Sequence, residues 1–307
     1  MSSGVLLVGL GRRGRDWSRV VRARRHCHAA GVVDPDPQAR AAAEAAGLAS
    51  WERLDDALAA VRADFAIVAT PPELHVEQAV ACLHAGLGVL VEKPLAFSLD
   101  DATSVAEAAD ETGLPALVGH NFRERPLERT IRAALDADAV GRLRFAASVS
   151  ARPPRDLPFE HSPLWDRGVH HVDLLRRRFG GTPDTVEAQC TTSADGVAYS
   201  LQLGWKNGAS AQYVLREGGC VYHHAEWLEG PHGALRITDK RVSLITPTRR
   251  PKRLRVRRGP APETVLLDAL IRRDSEAFGA RESLGTIATL EAGVRSLDAK
   301  RPAEVAL

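Results

Sequence analysis

The stretch Val5-Leu6-Leu7-Val8-Gly9-Leu10-Gly11-Arg12-Arg13-Gly14 decides the fold of the first part of this 307-residue chain. Its apolar residues predict a buried strand, and glycines at the spacing G-x-G-x-x-G then open a helical stretch. Gly9 permits a tight turn, Gly11 lets backbone N–H groups approach a pyrophosphate, and Gly14 allows close packing of helix on strand. The pattern predicts a dinucleotide-binding loop.

A carboxylate at the end of the second predicted strand supports this interpretation. Asp34 lies twenty residues after Gly14, where a carboxylate accepts hydrogen bonds from the adenosine ribose hydroxyls. The alternative is a turn residue in Asp34-Pro35-Asp36-Pro37. Two carboxylates here would repel a 2′-phosphate, so the sequence predicts NAD in preference to NADP. Arg12 and Arg13 weaken that preference, because either can lean toward the cofactor phosphates.

A lysine follows another buried strand. Glu92-Lys93-Pro94 comes after the apolar run Val89-Leu90-Val91, and ligands of open α/β sheets bind beyond the carboxyl ends of the strands. A lysine ammonium is costly to desolvate, so its placement there indicates a chemical task. The alternative is a solvated lysine at a strand end. Thr70-Pro71-Pro72 ends a further strand, and the nearby His75 is interpreted as a packing or surface residue. The predicted cofactor-binding residues are Gly9, Leu10, Gly11, Arg12, Arg13, Gly14, Asp34, Thr70, Pro71, Glu92 and Lys93.

The overall composition excludes several classes of protein. Lys and Arg total 41 against 39 for Asp and Glu, so a net charge of +2 gives no general attraction to nucleic acid or to anionic membranes. The N-terminus has no basic and apolar leader, and no apolar run reaches membrane-spanning length. The cysteines are too scattered for a disulfide framework or a zinc site, which favours a reducing cytoplasm. They are Cys27, Cys82, Cys190 and Cys220.

The order of elements predicts an α/β protein with two domains. The first, over residues 1–120, alternates strands near 5–9, 29–34, 65–70, 88–92 and 116–119 with helices such as 73–85 and 100–112, which is typical of a Rossmann domain. The second, over residues 121–307, is predicted to be α+β with a mostly antiparallel sheet. Its predicted strands are 142–150, 185–192, 198–205, 209–215 and 219–227, and its predicted closing helices are 264–278 and 283–297.

A second group of polar residues enters an apolar helix. At helical spacing Asp166, His170 and Asp173 fall on one face, so a carboxylate and an imidazole can point at one ligand. A secondary alcohol that loses a hydride needs a base for its hydroxyl proton, and histidine suits that role. Lys93 would then stabilise the charge on the same oxygen, with Asp166 orienting His170 or Lys93. The alternative is a helix start that Asp166 caps and His170 merely packs.

Taken together, these motifs resemble the glucose-fructose oxidoreductase, inositol dehydrogenase and MocA family. The resemblance covers nearly the whole chain, is specific in the N-terminal half and is diffuse after about Gly181. It implies a Rossmann domain, a C-terminal domain whose large open sheet makes homodimers or homotetramers, and a catalytic set of Lys93, Asp166 and His170. It rests on the glycine loop, Thr70-Pro71-Pro72, Glu92-Lys93-Pro94, Gly119-His120-Asn121-Phe122-Arg123 and Asp166-x-Gly168-x-His170-x-x-Asp173.

The sequence departs from the family near the expected substrate. Glu124 stands where an aromatic residue is usual, and residues 151–165 form a short stretch. Nearby arginines can bind a carboxylate or a phosphate in bidentate fashion, unless they only reflect the high arginine content of the chain. These arginines are Arg123, Arg125, Arg152 and Arg155. The predicted substrate-binding residues are Lys93, Asn121, Arg123, Arg152, Asp166 and His170.

Two other charged or metal-like patterns are interpreted structurally. In the run 249–258, Arg253, Arg255 and Arg257 alternate with apolar residues, which predicts a charged edge strand rather than a nucleic-acid surface. His26-Cys27-His28 and His223-His224 have no partner pair at ligand spacing, so no metal site is predicted.

The sequence therefore favours an NAD-dependent oxidoreductase acting on a secondary alcohol or ketone of a sugar, inositol or related polyol derivative. One alternative is a glycosidase that retains NAD and oxidises its substrate transiently, or an enzyme of epimerase type. Another is a sensor that binds the cofactor without catalysis. The joint presence of Lys93, Asp166 and His170 argues against the sensor.

Overall fold

The computed structural model describes residues 2–155, 157, 159–274, 276 and 278–307. The chain divides into two compact units, one formed by Met1–Asn121 and Pro260–Leu284, the other by Phe122–Gly259 and Gly285–Leu307. Within the described residues, no helix combines the length and the apolar character needed to cross a bilayer.

The helices are α1 (Arg12–Arg22), α2 (Pro37–Ala45), α3 (Leu54–Ala60), α4 (His75–His84), α5 (Leu99–Thr112), α6 (Pro126–Asp136), α7 (Val169–Phe179), α8 (Pro262–Ile271) and α9 (Ala280–Ala299). The strands are β1 (Ser3–Val8), β2 (Cys27–Val33), β3 (Ser50–Trp51), β4 (Phe65–Val68), β5 (Gly88–Val91), β6 (Ala116–Val118), β7 (Phe145–Arg152), β8 (Thr185–Ser193), β9 (Gly196–Gly204), β10 (Ser210–Glu217), β11 (His223–Gly230), β12 (Gly233–Thr238), β13 (Arg241–Thr246), β14 (Arg249–Arg253) and β15 (Ala303–Glu304).

The first unit is built on a parallel six-stranded sheet in the order β3-β2-β1-β4-β5-β6. Its inner strands are short apolar runs because both faces are covered, as in β5, where all of Gly88–Val91 is buried. The strand order reverses between β1 and β4, which is the place where doubly wound sheets bind ligands. The five strands predicted for this domain are confirmed, whereas α2, α3 and the two-residue β3 were not predicted.

The structure changes the predicted domain boundary in one respect. Residues 260–284, predicted to belong to the second domain, are part of the first unit. The reason is the apolar surface of α8, since Leu266, Leu267 and Leu270 are buried in the same core as Trp17 and Leu90. The predicted helix 264–278 also ends early, at Ile271.

The second unit contains a nine-stranded sheet in the order β14-β13-β12-β11-β7-β10-β9-β8-β15. Only the β7–β10 pair is parallel, so the prediction of a mostly antiparallel sheet is confirmed. Strand β7 alternates, with Ser148 and Ser150 buried while Phe145 and Val149 are exposed. Helix α7 packs on the buried face, where His171 stacks on Tyr213 of β10.

The arginine-rich run ends the sheet, as predicted. However, the strand comprises Arg249–Arg253 only, so the predicted strand through Arg257 is wrong. The N–H of Leu254 still donates to the carbonyl oxygen of Val242 in β13 at 2.9 Å, whereas that of Arg257 donates to Thr130 Oγ1 of α6 at 2.9 Å. Exposed and half-buried residues still alternate in this segment, since Leu254 and Val256 are half-buried between exposed arginines.

Candidate active site

The glycine loop of the first unit is fixed by a buried carboxylate. Asp34 Oδ2 accepts the backbone N–H of Leu10 at 2.6 Å, and its Oδ1 accepts that of Asp36 at 2.9 Å. The turn interpretation of Asp34 is therefore correct, but it describes only half of the carboxylate's contacts. The bond to Leu10 joins the end of β2 to the loop that follows β1.

Two glycines of the loop have different surroundings. A Cβ at Gly14 would lie 1.9 Å from the carbonyl oxygen of Gly9, so close packing of α1 excludes any side chain there. A Cβ at Gly11 would have no heavy atom within 4 Å. Gly11 is also the N-cap of α1 and provides no side-chain cap, so the first N–H groups of this helix are suited to an anion.

A cavity of about 630 Å³ lies at the carboxyl ends of β1, β2 and β4. Its volume is in the range of ordinary cofactor sites. Several predicted cofactor residues line it, namely Gly9, Gly11, Asp34, Thr70 and Pro71. The rim also contains Glu52, Arg53 and Asp55, and Arg53 is paired with Asp55 at 3.2 Å. The open backbone at Gly11, the uncapped helix and the carboxylate fit a dinucleotide.

Glu92 and Arg13, both predicted to bind the cofactor, bind each other. Glu92 Oε1 accepts from Arg13 Nη2 at 2.7 Å and from Trp17 Nε1 at 2.7 Å, and the glutamate is buried. Arg13 also lies 3.4 Å from Glu263, whose Oε1 accepts from Asn121 Nδ2 at 3.0 Å. These residues connect the end of β5 to α1 and α8 and support the site rather than line its cavity. Arg12, at the start of α1, is exposed.

Lys93 is half-buried directly after β5, next to the cavity strands in the sheet order. Its neighbours on both sides are held in place, Glu92 by the contacts above and Pro94 by His75. The ring nitrogens of the buried His75 lie 2.8 Å from the Pro94 carbonyl oxygen and 3.0 Å from that of Thr70. The interpretation of His75 as a packing residue is confirmed, and the Lys93–Pro94 peptide is cis.

In the second unit, His170 is held by an aromatic stack. Its ring lies parallel to that of Phe122, with 3.8 Å between ring centroids. The guanidinium carbon of Arg125 lies 3.1 Å from the same Phe122 centroid. Because His170 covers one face of Phe122, Arg125 must lie over the other. Phe122 therefore fixes the plane of the imidazole, a role that sequence reasoning missed.

Asp166 is held by arginines. It lies in the π-helical segment Leu164–Gly168 that leads into α7, and its Oδ2 accepts from Arg152 at 2.8 Å and from Arg155 at 2.9 Å. Arg152 also pairs with Glu217, which is opposite it in the parallel register of β7 and β10. Arg152 and Arg155 are thus engaged with protein carboxylates, and substrate binding by Arg152 stays a prediction.

Arg123 and Asp173 form a buried pair. Arg123 Nε donates to Asp173 Oδ2 at 2.8 Å, and Thr286 donates to Asp173 Oδ1 at 3.2 Å. Both charged side chains are almost inaccessible, at 2% and 1% exposure. Asp173 therefore binds Arg123, and a substrate-binding role of Arg123 stays a prediction.

A network of hydrogen-bonded side chains between α7 and the sheet was not predicted from the sequence. Glu226 accepts from His224 Nε2 at 2.6 Å. Ser150 Oγ lies between the two histidines, 3.5 Å from His224 Nδ1 and 3.2 Å from His171 Nε2. Burial lowers the pKa of His171, which is consistent with a neutral ring that donates to Ser150. Burial on its own would raise the pKa of Glu226, but the paired Arg178 lowers this pKa below its usual value.

The ligand atoms of His171, His224 and Glu226 lie within 4.8 Å of one another, as in metal sites. In this structure the three side chains have protein partners. Arg178 pairs with Glu226, and His171 Nε2 is within hydrogen-bond distance of Ser150. The alternation of His224 and Glu226 in a strand is the one sequence signal for this group. It does not reveal His171, which comes from a distant helix.

Comparison with known proteins agrees with this geometry. Residues 3–120 match the model of the Gfo/Idh/MocA family, described as "Oxidoreductase family, NAD-binding Rossmann fold". The match covers the first part of the chain. Its first unit is therefore an NAD-binding Rossmann domain, in agreement with the cavity and the glycine loop.

The chain is also similar to individual curated and solved proteins. The chain is 33% identical to 4-carboxy-2-hydroxymuconate-6-semialdehyde dehydrogenase of Sphingobium sp., over 53% of this chain and 54% of that protein. It is 29% identical to inositol 2-dehydrogenase of Leifsonia xyli subsp. xyli, over 96% and 93%. The WlbA dehydrogenase from Bordetella pertussis, solved with NADH and UDP-GlcNAcA, superimposes with a TM-score of 0.86 at 22% identity, over 100% and 98%. The chain spans about half the length of several curated relatives that it matches.

The two loop glycines provide a matched test of the NAD cradle. We expect Gly11→Ala to leave the free energy of unfolding within about 0.5 kcal/mol of the wild-type value, because its Cβ meets no atom. NAD affinity should fall about tenfold or more, because the added methyl group occupies the approach of the pyrophosphate. Gly14→Ala should cost about 2 kcal/mol of stability, because its Cβ meets backbone. Urea unfolding and NAD titration of both variants measure this, and unchanged NAD affinity in Gly11→Ala would contradict the assignment.

Proposed function

We propose that this protein is an NAD-dependent dehydrogenase that transfers a hydride between the nicotinamide and a secondary alcohol or ketone of a sugar, inositol or related polyol derivative. The proposal rests on the position of Lys93 relative to the NAD cavity in the parallel sheet. The NAD cavity lies at the carboxyl ends of β1, β2 and β4, and Lys93 follows the adjacent β5. The relatives named inositol 2-dehydrogenase and D-apiose dehydrogenase support the substrate class.

Three side chains are proposed to act on the substrate. Bound NAD supplies the acceptor for the hydride. His170 takes the proton of the reacting hydroxyl, and the Phe122 stack holds its imidazole plane. The Lys93 ammonium donates a hydrogen bond to the same oxygen and stabilises its developing negative charge. Asp166, which is paired with Arg152, offsets the positive charge that His170 gains.

The acidic rim of the cavity supports NAD over NADP. Asp34, Glu52 and Asp55 line it. The neighbouring cations are already paired, Arg53 with Asp55 and Arg40 with Glu52. A 2′-phosphate would therefore meet mainly carboxylates. Arg13, which the sequence left as a phosphate ligand, binds Glu92.

The function is tested with the purified full-length chain, NAD and a panel of polyols, sugar acids and aminosugars. We expect nicotinamide absorbance to rise stoichiometrically with product for at least one member. Substrate turnover without net NADH release would instead favour the NAD-retaining glycosidase or epimerase. NAD binding with no turnover of any member, in either direction, would favour a sensor.

We further propose that the protein is cytoplasmic and forms homodimers or homotetramers through the outer face of its large sheet, with a small-molecule substrate and no nucleic-acid or membrane partner. The support is an apolar outer face at β7, where Phe145 is 38% and Val149 is 40% exposed. All four cysteines are free thiols, as a reducing compartment requires.

Val149→Lys should convert the oligomer to monomers, because a buried interface does not tolerate an unpaired ammonium. Size-exclusion chromatography with light scattering measures the mass. Gln38→Lys, at an exposed position of α2 in the first unit and away from this sheet, is the polar control. An unchanged mass for Val149→Lys would place the interface elsewhere.

A further inference from the structure

The second unit contains a cavity of about 580 Å³ whose lining does not include Asp166 or His170. It lies among α6, α7 and the strands β11 and β12, and its volume suits a small organic molecule. Most of its wall is apolar. The apolar lining residues are Phe122, Pro126, Leu127, Ile131, Leu174, Ile237 and Val256.

The acidic residues of this cavity are already engaged. Glu128 and Glu226 both pair with the buried Arg178. Asp239 accepts the backbone N–H of His224 at 2.8 Å. The cavity therefore offers little attraction for a cation.

Arg167 is a cation in the lining of this cavity that has no carboxylate partner among the described residues. Its guanidinium carbon lies 5.3 Å from the Phe122 centroid, and Arg125 lies 3.1 Å from the same centroid, so two guanidinium groups share one ring. Among the described residues, Arg167 has no ion pair within 4 Å, and its buried Nε has no hydrogen-bond partner. Burial also lowers the pKa of Arg167. A desolvated guanidinium of this kind is stabilised by an anionic oxygen pair.

We propose that this cavity binds a small amphipathic carboxylate, whose carboxylate group pairs with Arg167 and whose apolar body packs against Leu127, Ile131 and Leu174. The apolar wall favours such a molecule over a free inorganic anion or a sugar, which would leave hydroxyl groups without partners. The ligand would contact Phe122, the residue that also stacks on His170. The inference is independent of the dehydrogenase reaction.

Binding is tested by calorimetric titration of the full-length protein with benzoate, 3-phenylpropanoate and hexanoate, each paired with its neutral amide. We expect at least one carboxylate to bind with a Kd below about 1 mM, and its amide to bind about tenfold more weakly. Arg167→Met should weaken carboxylate binding about tenfold or more, whereas Arg167→Lys should retain part of it. Arg255→Met, at an exposed arginine outside this cavity, should bind like the wild type.

A second variant tests the apolar end. Leu127→Trp, at a half-buried position on α6, should fill the cavity and abolish binding while the thermal unfolding midpoint stays close to that of the wild type. The proposal is overturned if no carboxylate of the panel binds, if amides bind equally well, or if Arg167→Met and Leu127→Trp both bind like the wild type. Because the readout is binding, failure of the proposed dehydrogenase activity would not affect it.

Discussion

Replacing Lys93 by Met should lower kcat about a thousandfold and leave the Kd for NAD roughly unchanged. The reason is that Lys93 is proposed to stabilise charge on the reacting oxygen, an interaction made mainly in the transition state. The cofactor cradle is instead formed by the glycine loop and Asp34. Met keeps the length of the apolar stem, so the β5 end and the contacts of Glu92 should persist. Initial rates by nicotinamide absorbance and NAD titration by fluorescence measure the two quantities.

Lys206→Met is the matched control, because Lys206 is 89% exposed in the other unit. It should behave like the wild type in both measurements. Near-normal turnover of Lys93→Met would remove the residue from the catalytic set. A loss of NAD affinity in parallel with kcat would instead make Lys93 a structural or cofactor-binding residue.

The first unit was predictable because its signals are local. A buried parallel strand reads as a continuous apolar run, and the glycine spacing and Asp34 lie within one βαβ unit. The two-residue β3 has too little sequence to show a pattern. Helix α8 was predicted as a helix, but its apolar pattern does not indicate which of the two hydrophobic cores it packs into. Only the tertiary structure shows that Leu266 and Leu270 complete the first unit.

Charge pairing in the second unit was not predictable, because it depends on contacts between distant segments. Arg123 and Asp173 are 50 residues apart, and Arg152 and Glu217 are 65 residues apart. The second pair follows from the register of β7 and β10, which no local pattern sets. Sequence reasoning predicted that Arg123 and Arg152 bind the substrate, and it could not show that protein carboxylates pair with both. The position of Phe122 against His170 is hidden for the same reason.

Arg123→Met should destabilise the protein by about 3–5 kcal/mol, because it leaves the carboxylate of Asp173 buried without its cation. Asp173→Leu should have a similar effect through the unpaired guanidinium. The double variant should recover much of the loss, since two apolar side chains of similar volume replace the buried pair. Urea unfolding followed by circular dichroism gives the free energies for this cycle.

The exposed pair Arg281–Asp110, with side chains 61% and 62% exposed, provides the control. Arg281→Met should change the free energy of unfolding by less than about 1 kcal/mol, because water already solvates both charges. The cycle also decides between the two roles considered for Arg123. A structural residue gives a large loss in each single variant and recovery in the double variant, with KM little changed once the protein is folded. A substrate ligand would give a stable Arg123→Met protein with a raised KM, and the double variant would not lower that KM.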